Sequence, residues 1–144
     1  MRTVLIPFDG SAPALRAVRS FIDLARAATR MHAIVLNVEP SVPFMDRLVN
    51  GSPSEQRRVE EPLRDKGETL LAPVKSELER AAIPYTAHVE FGDPADVIAA
   101  RAKEWHADLI IMGASGRDAI GRFRPDAVAQ KVLHQTDVPL MLVK

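Results

Sequence analysis

The chain has 144 residues, 47% hydrophobic and 26% charged, and its 19 basic and 19 acidic side chains cancel to zero net charge. That is one domain at about 150 residues apiece, able to bury about 68–70% of its unfolded surface, so an intrinsically disordered chain is excluded. The neutral balance removes the electrostatic case for nucleic acid and leaves copies without net repulsion, while the lack of cysteine excludes disulfides, thiolate catalysis, iron–sulfur clusters and Cys-based zinc sites.

Along the chain, Thr3–Phe8 is a short apolar run without polar alternation, the pattern of a strand covered on both faces of a parallel sheet. It is too brief for a secretory signal and has no cleavage pattern. Ser11 reads as the N-cap of a helix with Pro13 in its first turn and Ala14, Leu15, Val18, Phe21, Ile22, Leu24, Ala25 and Ala28 on one apolar face. A second buried strand follows at Ala33–Val38, and the proline-rich stretch 40–53 reads as a surface loop. Glu55–Ala82 has helical period, with Pro62 expected near a helix start and Pro73 expected to kink it. The charge run Glu55–Glu61 fits a solvated helix face.

Tyr85–Phe91 alternates apolar and polar residues and is expected as a more exposed strand near a sheet edge. Asp93-Pro94 opens another helix, with Val97, Ile98, Ala102 and Trp105 facing inward and Trp105 acting as core packing at its end. Asp108–Met112 is a buried strand, Ala127–His134 a helix and Val138–Val143 a last strand. There is no repeat and no linker, so residues 1–144 form one domain. Strict alternation of strands and helices predicts an α/β fold: a parallel sheet with right-handed crossovers and helices on both faces. No segment approaches the roughly 20 apolar residues of a membrane span. The expectation is a soluble cytoplasmic protein with no membrane partner.

In such a sheet a ligand binds beyond the carboxyl ends of the strands, where strand order reverses. Two strand ends have suitable chemistry. The first runs Pro7-Phe8-Asp9-Gly10-Ser11, which can present a carboxylate to a ribose or base and is equally an ordinary capped turn. The other runs Met112-Gly113-Ala114-Ser115-Gly116, with Arg117, Arg122 and Arg124 following. Glycines there let backbone amides approach a phosphate, and a helix N-terminus favours the anion.

Familiar catalytic signatures fail. Gly116 and Gly121 have P-loop spacing, but Arg122-Phe123 stands where Lys and a hydroxyl residue are needed. The Gly-x-Gly-x-x-Gly fingerprint and the Gly-x-Ser-x-Gly elbow are absent. His32, His88, His106 and His134 lack metal-ligand spacing.

Several segments, in order, resemble the universal stress protein family: Val4-Leu5-Ile6-Pro7-Phe8-Asp9-Gly10-Ser11, Leu36-Asn37-Val38, Gly92-Asp93-Pro94, Ala107–Gly113 and Val138–Val143. The resemblance covers essentially the whole chain. It implies a five-stranded parallel sheet of order 3-2-1-4-5, Rossmann-like and similar to the adenine nucleotide alpha hydrolases, and a homodimer. It also implies an ATP or AMP site in which Asp9 lies at the ribose and adenine end and Val38 contacts adenine through its backbone. The family pattern for ATP is a glycine, two residues, a glycine, nine residues, then glycine and Ser or Thr. Gly113 and Gly116 match; Asp126-Ala127 falls where the second pair belongs.

That departure has physical weight. Asp126 brings a carboxylate toward the phosphates, Ala127 has no hydroxyl to donate, and Pro125 removes an amide. The arginines would offset the charge if they turn inward. The expected function is a dimeric stress-response protein with a degenerate triphosphate half, binding ATP weakly or not at all and AMP more readily. A protein-interaction module of the same fold and a slow ATP hydrolase are the competing readings. The C-terminal apolar strand is expected to pair with a second copy across its edge at residues 138–143.

Overall fold

The computed structural model describes residues 1–40, 53–114 and 126–144, with side chains of the middle stretch described from residue 57. The loop expected over 40–53 lies almost wholly outside them. The elements alternate: β1 (Arg2–Pro7), α1 (Ala12–Ala27), β2 (Met31–Glu39), α2 (Pro53–Arg80), β3 (Tyr85–Phe91), α3 (Pro94–Glu104), β4 (Leu109–Gly113), α4 (Ala127–Gln135) and β5 (Leu140–Val143). All neighbouring strands pair in parallel, in the order β3-β2-β1-β4-β5. The expected sheet order and chain alternation both hold.

Because consecutive strand residues point to opposite faces, each central strand feeds two cores. Val4, Ile6, Ala33, Val35 and Ile111 meet Phe21 of α1 and Leu71, Val74 and Leu78 of α2. Leu5, Ile34, Leu36, Ile110 and Met112 meet Ile98 and Ala102 of α3 and Val132 of α4. This double coverage is why β1, β2 and β4 read as unbroken apolar runs. Strand β3, at the edge, alternates as expected; of its seven residues only Val89 is fully buried.

The helix starts follow their caps. The Ser11 hydroxyl accepts from Ala14 N at 3.2 Å to begin α1, and the Asp93 carboxylate accepts from Asp96 N at 3.1 Å to begin α3. Two expectations need correction. Pro62 does not lie near a helix start; both it and Pro73 sit inside the continuous α2. An internal proline costs about 3 kcal/mol, but both prolines occupy the exposed face. The opposite face buries Leu71, Val74 and Leu78 completely, at about 1.5–3 kcal/mol each, so packing outweighs the lost hydrogen bonds. The last strand is also shorter than the expected 138–143. Val138 N donates to the Thr136 hydroxyl and Pro139 has no amide to donate, which delays β5 to Leu140.

Trp105 is not fully inward. It ends α3 half-buried, stacked on the His88 ring at 4.6 Å, with the Arg101 guanidinium 5.6 Å from its centroid. It still packs on the core beneath α3, so its structural role stands.

Candidate functional site

Reversal of strand order between β1 and β4 opens a crevice at their carboxyl ends, since the chain leaves β1 toward one face of the sheet and β4 toward the other. A cleft of about 190 Å³ lies there. Of the sequence-derived candidates, Pro7, Asp9, Val38, Met112, Gly113 and Asp126 line it. Ala127, the first residue of α4, is exposed and is not in its lining. Gly116 and Arg117 lie outside the described residues, as do Arg122, Arg124 and Pro125.

The β1 side is a tightly specified turn. Phe8 N donates to the Leu36 carbonyl at 2.8 Å, and the Phe8 carbonyl accepts from the side-chain amide of Asn37 at 3.0 Å. Asp9 follows, its carboxylate accepting from Ser11 N at 2.9 Å. Gly10 between them has φ +85° and packs on Leu70 of α2 so closely that a Cβ would lie 2.7 Å from its Cδ2. A side chain there is doubly penalised, by backbone conformation and by contact. The turn is thus pinned at Phe8, at Gly10 and at Ser11.

Gly113 has a reason beyond phosphate approach. A Cβ at this position would fall 2.2 Å from the Pro13 carbonyl carbon and oxygen and 2.6 Å from Ala14 N. The first turn of α1 therefore rests directly on the end of β4, and only glycine leaves room. This contact joins the two walls of the cleft.

The third wall is α4. Asp126 is its N-cap: the carboxylate accepts from Ala129 N at 2.8 Å. Asp126 was expected to point toward a ligand's phosphates; it does line the cleft, and it also holds a donor of its own helix. Phe8 and Ser11 belong to the β1 turn already singled out; the floor and far wall, which sequence reasoning missed, come from Leu36, Pro94, Ile98 and Val128, with Pro13 and Ala14 at the α1 side. Pro94 and Ile98 carried a signal, the Asp93-Pro94 helix start, but only the strand order places that start beside β2.

The lining is apolar around Leu36, Val38, Ile98 and Met112, and its described ionisable side chains are Asp9 and Asp126. Burial lowers the pKa of His32, at the opposite end of β2, and a hydrogen bond from Tyr85 to Glu79 raises the tyrosine's. Among the described residues no group of three or more His, Cys, Asp or Glu could hold a metal, and no helix is long and apolar enough to cross a membrane.

The model of the universal stress protein family matches residues 1–144. The chain belongs to the universal stress protein family. It is 30% identical over 147 residues to a universal stress protein of Methanocaldococcus jannaschii, covering 99% of this chain and 82% of the relative. It is 32% identical over 149 residues to one from Thermus aquaticus, covering 99% and 98%. Among solved structures, a universal stress protein family member from Arabidopsis thaliana with AMP bound has a TM-score of 0.72 at 19% identity, covering 100% of this chain and 92% of that one. A universal stress protein in complex with cAMP has a TM-score of 0.67 at 19% identity, covering 99% and 96%. The structural likeness establishes the shared fold, and the family is one of stress-response proteins.

Proposed function

We propose that this universal stress protein is a binding module whose cleft holds an adenosine compound with at most one phosphate, AMP being the nucleotide named, and that ATP binds weakly or not at all. The observation that carries the reading is the division of the cleft. Its β2 and β1 side offers apolar surface beside Val38 and a pinned carboxylate at Asp9, suited to a base and a ribose. Its α4 side meets a phosphate with the carboxylate of Asp126, already bonded to the helix N-terminus. At about 190 Å³ the described cleft is also below the roughly 300–1,000 Å³ usual for small-molecule pockets. The AMP and cAMP complexes of the two similar proteins support an adenine ligand.

A binding role is favoured over hydrolysis because the groups of the described lining that could act as base or nucleophile, Asp9, Ser11 and Asp126, each accept a backbone amide of their own turn or helix. Isothermal titration of the full chain is expected to show AMP binding more tightly than ATP. A sub-micromolar ATP affinity (about 8 kcal/mol or more) would overturn the reading. Binding of neither would favour the protein-interaction alternative.

We further propose a cytoplasmic homodimer joined through residues 138–143. Strand β5 ends the sheet, and all four of its residues are only half-buried. An apolar edge of this kind offers unpaired backbone groups to a second copy. Light scattering at micromolar concentration is expected to give twice the chain mass; a monomer would refute the dimer.

A further inference from the structure

Three helices begin at the carboxyl edge of the sheet, and each is closed by its own side chain: α1 by Ser11, α3 by Asp93 and α4 by Asp126. A helix N-terminus carries about half a positive charge and ordinarily welcomes a phosphate. At α4 that place is shared with a carboxylate 2.8 Å from Ala129 N, and this carboxylate also lines the cleft. Pro13 and Pro94, in the first turns of α1 and α3, have no amide hydrogen to donate. Among the described lining residues, charge comes from Asp9 and Asp126, both acidic.

Position along the cleft decides what these charges meet. Val38, Asp9 and Gly113 stand at the carboxyl ends of three adjacent strands in the order β2, β1, β4, and adjacent strands are spaced about 4.8 Å apart. With a base against Val38 and a ribose at Asp9, the 5′ end of a nucleoside heads for Gly113 and Asp126. We infer that Asp126 makes the cleft select adenosine compounds whose 5′ end is neutral or positively charged, each 5′ phosphate being accepted against the repulsion of a like charge. This rests on the adenosine reading above and adds the ligand class and the residue that sets it.

The test is titration of the full-length protein with 5′-amino-5′-deoxyadenosine, adenosine, AMP and ATP at low and high salt. Affinity is expected to fall in that order, by about fivefold from adenosine to AMP, the weight of one unit-charge pair about 4 Å apart in water. Salt should weaken the amine and strengthen AMP. In Asp126→Asn, whose amide oxygen still caps a helix, the ratio of AMP to adenosine affinity should rise about fivefold. Affinity that climbs with phosphate number in the wild type, or an unchanged ratio in the variant, overturns the charge assignment and leaves the adenosine reading standing. The wild-type order decides the matter even if the variant does not fold. Silence from all four ligands overturns both.

Discussion

Asp9 and Asp126 face the same cleft from opposite walls, each accepting a backbone amide, yet they stand in different relations to the helices behind them. Among the described residues Asp9 bonds only to the amide of Ser11, two residues on, while Ser11 itself caps α1. Asp126 is the cap of α4. On the β1 side, cap and cleft carboxylate are separate residues; on the α4 side they are one. The first wall can change its ligand chemistry without loosening its helix, and the second cannot.

Gly113 is where the first of these walls, with α1 behind it, rests on the end of β4, and its replacement should cost the most. In Gly113→Ala the new methyl would stand 2.2 Å from backbone atoms of Pro13. Backbone cannot rotate aside as a side chain does, so α1 must move off β4. Overpacking costs typically about 1–3 kcal/mol, and a loss at the upper end, about 3 kcal/mol, is expected in urea unfolding. A loss below about 0.5 kcal/mol would mean that the walls are not coupled through this contact, and the comparison would have to be made wall by wall.

The same glycine shows how far the sequence could be read. Gly113 stood out as a phosphate glycine because it follows a buried strand; the tighter constraint, the Pro13 carbonyl, comes from a residue a hundred positions earlier. The sheet was legible because double-sided burial leaves unbroken apolar runs, and the caps Ser11 and Asp93 were legible because capping is local, whereas Asp126 stood out for its charge and not as the cap of α4. Asn37 was not. Its amide holds the Phe8 carbonyl while its side-chain oxygen, buried with no hydrogen-bond partner among the described residues, faces Gly67 of α2, where a Cβ would come within 2.6 Å. No local pattern announces a contact among three elements. Pro62 of α2 misled for a related reason: propensity argued for a helix start, and packing of the opposite face carries the helix through it.

Separation of the two roles is measured directly at the caps, where smaller losses are expected. Replacing an N-cap by Ala costs about 1 kcal/mol, within a range of about 0.5–2. Ser11→Ala and Asp126→Ala should each show this loss in urea unfolding. Asp9→Ala should not. Its carboxylate closes only the local turn, and with Ser11 still in place the first donors of α1 keep their acceptor. The expected loss is under about 0.5 kcal/mol, as for an exposed substitution away from a structural feature. Equal losses at all three positions would show that Asp9 also supports α1, and that both walls of the cleft tie ligand chemistry to helix stability in the same way.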